Sequence, residues 1–147
     1  MRVLIQRVKT ASGEIQGDTI SQINKGILIL LGVCSEDSDA DIQFLVDKIT
    51  NLRIFEDETG KMNLSLMDIK GEVLIVSQFT LYADCRKGRR PSFTDAAEPG
   101  FAKDMYKKFV QKFSDTGLHV GEGEFAAMMN VSLVNDGPVT IMLDTKI

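Results

Sequence analysis

The stretch GILILLGV, residues Gly26–Val33, is a continuous apolar run bounded by glycines. Such a run predicts a β-strand that is buried on both of its faces. The residues before it, 2–23, alternate moderately between apolar and polar side chains, with Gly13 and Gly17 as turn or bulge points. Together these segments predict an early antiparallel meander.

Two helical patterns lie further along the chain. Ser38 is a suitable N-cap for the first, with Asp41 three positions later, close to a capping box. Its apolar residues recur at helical spacing: Ile42, Leu45, Val46, Ile49 and Leu52. The second helix is predicted to begin at Pro99 and to bury a stripe of large side chains: Phe101, Met105, Phe109 and Phe113.

The remaining apolar segments read as strands. Residues 55–66 predict a hairpin with its turn at 57–60, residues 72–83 a strand, and the tail after Gly117 two or three more strands. The sequence therefore predicts the α+β class: a largely antiparallel, barrel-like β-sheet with two helices packed against it. We expect one domain, 1–147, because no linker, repeat or low-complexity segment interrupts the chain.

Composition excludes several classes of protein. No apolar stretch is long enough for a membrane helix, and the start MRVLIQRVKT lacks the features of a signal peptide. Two cysteines, Cys34 and Cys85, form no CxxC pair, which favours a reduced, cytoplasmic compartment. The net charge of −4 argues mildly against a nucleic-acid partner.

The usual catalytic devices are missing. The chain has one histidine, His119, for which we expect a structural or exposed position, and no metal-ligand spacing, so we predict no metal and no cofactor. No GxSxG elbow, P-loop or GxGxxG occurs. The protein is therefore either not an enzyme, or it catalyses an easy reaction with backbone groups and the substrate itself.

The segment SQFTL, Ser77–Leu81, ends the predicted strand 72–83 with polar side chains. Strand alternation would place Ser77, Phe79 and Leu81 on one face and Gln78 and Thr80 on the other. Polar groups at a strand end can bind a ligand, and backbone N–H groups there can form an oxyanion hole. The alternative is an ordinary strand end, in which Thr80 is only a β-former and Gln78 caps the sheet edge.

The polar loop after this strand contains RKGRR, four bases in five residues: Arg86, Lys87, Arg89 and Arg90. Such a run is commonly a solvated loop, but its position just past a strand end also suits a phosphate backbone. Near the other end of the chain, NDGPVT (Asn135–Thr140) places Gly137-Pro138 between two apolar runs. It is either a hairpin turn or backbone presented to a ligand.

Five segments in order along the chain carry a resemblance to a known family: MRVLIQRV (1–8), GKMNLSL (60–66), VSQFTLYAD (76–84), RPSF with DAA (90–97) and NDGPVT (135–140). The chain resembles the D-aminoacyl-tRNA deacylase family, also called D-tyrosyl-tRNA deacylase, over essentially its full length. SQFTL and NxGPxT are that family's two signature motifs, and both are intact. One departure is EFAAMM, in which Ala126 stands where the resemblance leads us to expect glycine.

The resemblance implies a homodimeric, metal-free hydrolase that cleaves the ester between a D-amino acid and the 3′-terminal adenosine of tRNA. It also implies release of achiral glycine from glycyl-tRNA mischarged on tRNA-Ala. An aminoacyl ester is already activated, so positioning and oxyanion stabilisation can suffice, with help from the substrate's 2′-hydroxyl. This would account for the missing catalytic histidine.

Site residues carried over by similarity form three groups. The catalytic segment is the strand end Ser77, Gln78, Phe79 and Thr80, with Thr80 as a positioning residue rather than a nucleophile. By similarity, a Gly-cisPro dipeptide, Gly137-Pro138, reaches into the partner's active site, binds the substrate and selects it by chirality. Arg7 braces this dipeptide, and Met129 completes the substrate-binding group. The bases of RKGRR are expected to bind tRNA.

Two other functions stay open on the residues alone. One is a non-catalytic module that uses RKGRR to bind tRNA or RNA ends. For such a module we expect salt-sensitive binding without deacylation. The other is a structural homodimer in which NDGPVT is a tight turn at the interface, so that changing Pro138 costs stability and nothing else.

Overall fold

A fourteen-residue strand, β1 (Arg2–Ile15), is the centre of the fold described by the computed structural model, which covers residues 1–147. The other strands are β2 (Asp18–Ile23), β3 (Gly26–Gly32), β4 (Phe55–Glu56), β5 (Met62–Leu64), β6 (Glu72–Ser77), β7 (Val120–Glu122) and β8 (Asn130–Asp144). The helices are α1 (Asp39–Asn51), α2 (Leu66–Ile69) and α3 (Pro99–Ser114), with a single 3₁₀ turn at Phe79–Tyr82.

The strand order is not that of a meander. One edge of β1 pairs with β8 along nearly its whole length. The other edge of β1 pairs with two strands in turn: its first half with β3 and its second half with β2. The expected meander is therefore wrong at β3, which returns to β1 instead of pairing with β2. The reason is the length of β1, which leaves one half of that edge free after the β1–β2 hairpin.

Beyond β3 the sheet becomes parallel. β3 pairs with β6, and β6 with β7, in the same direction, while all the pairs of β1 are antiparallel. β4 and β5 form a separate antiparallel hairpin, and Gly60 N–H donates to the carbonyl of Asp57 across its turn, as predicted. The α+β class, the barrel-like sheet and the single domain expected from the sequence are confirmed, with α2 as a short third helix.

Both faces of β3 are buried, as its apolar run predicts. Ile27, Ile29 and Leu31 join the main core between the sheet and the helices, whereas Leu28 points into a second, smaller core. That second core lies on the other face of the sheet and is completed by half-buried residues of the chain's last part: Met129, Val131 and Leu133. Alternate side chains of this one apolar run therefore belong to two different cores.

The two long helices begin where the sequence predicts, directly after Ser38 and at Pro99. Ser38 and Asp41 form a capping box on α1, with Ser38 N–H donating to Asp41 Oδ2 at 2.8 Å. At α3, the Glu98 carboxylate accepts the N–H of Phe101 at 2.9 Å, and the stripe on its inner face packs into the main core. None of the helices is both long and apolar enough to cross a membrane.

Candidate active site

The predicted strand 72–83 ends early, at Ser77. Gln78 N–H donates to the carbonyl of Leu31 at 2.8 Å, and the chain then turns into the 3₁₀ helix Phe79–Tyr82. The alternation expected over Ser77–Leu81 is therefore wrong beyond Ser77, because residues in a helical turn do not alternate between two faces. The physical cause is the end of β3, which has no further strand residues to pair with after Gly32.

Leaving the strand exposes the groups of the SQFTL segment. Phe79 is 55% exposed and Thr80 is exposed. Gln78 Nε2 donates to Thr80 Oγ1 at 2.5 Å, and no histidine, lysine or carboxylate contacts that hydroxyl. The one side-chain hydrogen bond of Thr80 is therefore to an amide, which cannot act as a general base.

Backbone donors are the second feature of this segment. The first N–H groups of a helix have no acceptor inside it, which applies here to Phe79 and Thr80. Gln78 is the N-cap residue and makes no side-chain capping bond to them. Two adjacent N–H groups in this position can bind a developing oxyanion.

The basic loop is docked beside this segment. The rings of Phe79 and Phe93 meet edge to face, with centroids 5.0 Å apart. Asp84 and Ser92 exchange two backbone hydrogen bonds, of 2.7 and 2.9 Å, and so close a hairpin-like loop around RKGRR. The structure thus brings together the predicted catalytic segment and the four predicted tRNA-binding bases, all of which are exposed.

An arginine that the sequence reasoning left out supports the 3₁₀ helix from below. Arg2 Nη1 donates to the carbonyl of Leu81 at 3.0 Å, its guanidinium lies 4.4 Å from the centre of the Tyr82 ring, and Nε pairs with Asp144 at 2.7 Å. The hydrogen bond to Asp144 raises the pKa of Arg2. Burial raises the pKa of Tyr82 far above its ordinary value, and its hydroxyl has no hydrogen-bond partner.

The NDGPVT segment is not a hairpin turn. Val8 pairs with Asn135 and Gln6 with Thr140, so four residues, 136–139, lie opposite the single residue Arg7. β8 therefore continues through the motif and bulges outward, and the hairpin interpretation is wrong. The cause is that β1 runs uninterrupted beneath the whole segment and pairs with both of its ends. The Gly137-Pro138 peptide bond in the bulge is cis.

Side chains hold the bulge in place. Arg7 is 4% exposed and donates from Nε to the carbonyl of Asp136 at 3.1 Å and from Nη1 to the carbonyl of Ile54 at 2.7 Å. Asn135 closes the base of the bulge: its Oδ1 accepts Val139 N–H at 2.9 Å and its Nδ2 donates to Thr140 Oγ1 at 3.1 Å. Gly137 has a φ of +127°, and a Cβ there would lie 3.1 Å from Arg7 Nη2.

Within one chain the bulge and the SQFTL segment lie apart. Ser77 is level with Leu31 of β3, which is level with Val3 of β1, while the bulge is level with Arg7. Four residues along a strand span about 13 Å, and the three strand spacings from β6 to β8 span about 14 Å. The two signature motifs are therefore on the order of 20 Å apart along the sheet.

Met129, expected near the substrate, lies in neither segment. Its side chain packs against Gly13 and Gly123 and belongs to the second core. Ala126, three residues earlier, is exposed and has a φ of +63°. This left-handed backbone accounts for the glycine expected there.

The remaining predicted features lie outside the two motif segments. His119 is exposed, as expected, and precedes β7. No group of three or more His, Cys, Asp or Glu side chains is placed to hold a metal ion. Arg2 and Asp84, which the site reasoning did not include, were detectable only as members of the motif segments 1–8 and 76–84.

Comparison with known proteins places the chain in a family. The protein-family model described as D-Tyr-tRNA(Tyr) deacylase matches residues 4–144 of the chain. Two curated D-aminoacyl-tRNA deacylases, from Clostridioides difficile (strain 630) and Thermosipho africanus (strain TCF52B), are 59% and 60% identical to this chain. Each of these matches covers 99% of the chain and 98% of the relative.

Two solved structures are also similar. That of a c-Myc DNA unwinding element binding protein is 42% identical with a TM-score of 0.93, covering 99% of both chains. A probable eukaryotic D-amino acid tRNA deacylase is 17% identical with a TM-score of 0.85, covering 97% of both chains, and shows the shared fold.

Because the similarity to these deacylases extends over nearly the whole chain, the protein is of the class of hydrolases that act on aminoacyl-tRNA. The chain belongs to the D-Tyr-tRNA(Tyr) deacylase family, and the resemblance drawn from its motifs is confirmed.

Proposed function

We propose that this protein hydrolyses the ester bond of D-aminoacyl-tRNA, spares the L-ester, and also releases glycine from glycyl-tRNA mischarged on tRNA-Ala. The products are free tRNA and the amino acid. One observation carries the proposal. The intact SQFTL motif leaves its strand as a short helix whose first N–H groups have no helical acceptor, beside an exposed basic loop.

In the proposed reaction, the ester carbonyl oxygen accepts hydrogen bonds from the N–H groups at the start of the 3₁₀ helix, with that of Phe79 as the main donor. Water attacks the carbonyl carbon, assisted by the free 2′-hydroxyl of the terminal ribose, and the 3′-oxygen leaves with a proton. The Gln78–Thr80 hydrogen bond fixes the polar side chains around the ester. Positioning of this kind supplies much of the barrier reduction for an activated ester.

Selection by chirality is proposed to come from the cis Gly137-Pro138 bulge of a second copy of the chain. Its backbone carbonyls accept hydrogen bonds from the α-ammonium group, so that a D side chain projects outward and an L side chain meets the dipeptide. Glycine passes because it has no side chain. The separation of the two motifs within one chain supports this arrangement, as does β8, which pairs only with β1 and exposes Val134 and Met142.

A translation substrate of this kind implies the cytoplasm as the place of action. The exposed bases Arg86, Lys87, Arg89 and Arg90 are proposed to hold the phosphates of the acceptor end.

The test is hydrolysis of paired D- and L-aminoacyl-tRNA, together with glycyl-tRNA-Ala, by purified protein in the presence of a chelator. We expect rapid release from the D-ester and the glycyl ester, with the L-ester spared. Equal hydrolysis of D- and L-esters would overturn the selection, and tRNA binding without release would favour the non-catalytic module.

A Thr80→Val variant distinguishes the two roles open to that residue. Without a base to activate it, the hydroxyl is expected to contribute at most about tenfold to kcat, whereas removal of a true nucleophile costs on the order of 10⁴-fold or more. A loss of the larger size would make Thr80 the nucleophile.

A further inference from the structure

Asp84 stands at the base of the basic loop and takes no part in the proposed reaction. Its backbone makes the two hydrogen bonds with Ser92 that close the loop. Its carboxylate accepts three N–H groups of one residue: from Arg86 the backbone N at 3.0 Å, Nε at 2.8 Å and Nη2 at 2.6 Å. A single acid thus fixes both the main chain and the side chain of Arg86.

The geometry leaves part of the Arg86 guanidinium free. The Nε–Nη2 edge is held by both carboxylate oxygens, while the Nη1 side makes no hydrogen bond, and the side chain is 84% exposed. Arginine carries five N–H donors in a rigid fork, so a carboxylate on one edge orients the donors on the other. The other three bases of the loop make no ion pair.

We propose that Asp84 is a positioning residue that orients Arg86 to bind a phosphate of the tRNA acceptor end. This rests on the proposed function, which makes the loop a tRNA-binding surface. On such a surface a carboxylate is unfavourable by charge alone, because it repels phosphate. A carboxylate that orders the arginine in advance can offset this repulsion, because it lowers the conformational cost of binding.

The protonation state of the acid is compatible with this role. Side-chain and backbone hydrogen bonds from Arg86 lower the pKa of Asp84 to about 2. The carboxylate therefore stays ionised, and the pair stays formed, throughout the range in which aminoacyl esters are assayed.

The sign of one measurement tests the proposal: the Kd of uncharged tRNA for Asp84→Asn against the wild type, over a series of salt concentrations. Removing a negative charge would tighten binding if charge alone mattered. We expect instead binding weaker by about fivefold, the upper range for an exposed ion pair with good geometry. The salt slope should also be shallower by about one phosphate contact.

A matched control removes one negative charge near Arg86 and leaves the hydrogen bonds between Asp84 and Arg86 intact. Asp95 influences Arg86 through charge, and its carboxylate accepts no hydrogen bond. We expect Asp95→Asn to bind tRNA as well as the wild type or more tightly. Arg86→Lys keeps the positive charge but lacks the fork, so it should weaken binding about as much as Asp84→Asn, and the double variant should be no weaker than either.

Equal or tighter binding by Asp84→Asn would overturn the proposal, as would additive losses in the double variant. Should Asp84→Asn fail to fold, Arg86→Lys alone decides: wild-type affinity in that variant overturns the proposal. Because binding is measured with uncharged tRNA, its outcome is separate from hydrolysis. A protein that binds as expected but hydrolyses no ester would contradict the proposed function and leave this inference intact.

Discussion

Two arginines on β1, Arg7 and Arg2, support the two signature motifs in different ways. Each donates to a backbone carbonyl of its motif segment and pairs with an aspartate of β8, Asp136 for Arg7 and Asp144 for Arg2. The side chain of Arg7 is only 5% exposed, whereas that of Arg2 is 35% exposed.

The segments they support also differ in how many other contacts hold them. The 3₁₀ helix has the Gln78–Leu31 backbone bond, its own internal bonds and the Phe79–Phe93 contact in addition to Arg2. The bulge has Arg7 and the local bonds of Asn135. The 3₁₀ helix is thus held by contacts to several other parts of the chain, whereas Arg7 is the one buried cation that holds the bulge in addition to the bulge's own local hydrogen bonds.

The largest expected effect is that of Arg7→Met. It leaves the buried carbonyl of Ile54 and the partly buried carbonyl of Asp136 without their donor and separates Asp136 from its partner, so we expect a loss of about 3 kcal/mol in the free energy of unfolding. The D/L ratio of hydrolysis should fall as well. Urea denaturation measures the first and paired esters the second; a loss below about 1 kcal/mol would contradict a dependence on this one side chain.

Arg2→Met should have a smaller effect, although the contacts look alike. The ion pair is partly solvated and the 3₁₀ helix keeps its other bonds, so we expect a loss of about 1 kcal/mol, with contributions from the pair and the Tyr82 ring. The D/L ratio should be unchanged. If urea denaturation gave the same loss in the free energy of unfolding for both variants, the 3₁₀ helix would not be held more strongly by its other contacts than the bulge is.

Ala126→Gly is expected to have the smallest effect and to separate backbone strain from neighbour contacts. Ala126 shares a positive φ with Gly137 of the bulge but is exposed. Glycine relieves the strain of the left-handed backbone, about 1–2 kcal/mol, but it also gives the unfolded chain more conformational entropy. We therefore expect the free energy of unfolding, measured by urea denaturation, to rise by about 0.5 kcal/mol.

The matched control for that variant is Gly117→Ala, where φ is +85° and a Cβ would meet no atom within 4 Å. It should destabilise by a similar amount, since it introduces the same strain in open space. A neutral result for both variants would show that backbone strain is negligible outside the bulge.

Much of the fold could be predicted because local signals agreed with the packing. The apolar run 26–33 sits between two cores, Ser38 caps α1, α3 begins at Pro99, and the stripe of α3 is buried. The meander was wrong because periodicity says which residues form a strand but not which edge they join. Strand pairing depends on the length of β1, which leaves half of one edge free.

The candidate site, like the fold, could be predicted only in part from the sequence. The residue types of SQFTL, RKGRR and NDGPVT selected these segments as candidates, and their part in binding and catalysis stays a prediction. The strand expected to run through SQFTL was wrong, and of the two alternatives open for NDGPVT the hairpin turn was wrong. SQFTL continues an apolar strand pattern, and only the end of β3 stops it from pairing further. NDGPVT has turn chemistry, and only the continuous β1 beneath it makes it a bulge.

The order of side chains along the chain was thus enough to establish the class of fold, the starts of the two long helices and the family. It could not establish that Arg7 is buried beneath Gly137, that the Asp84 carboxylate accepts three hydrogen bonds from Arg86, or that the two signature motifs lie on the order of 20 Å apart along the sheet of one chain. These depend on register between strands distant in sequence. Register is set by the combined packing of many residues, and no single segment carries that information.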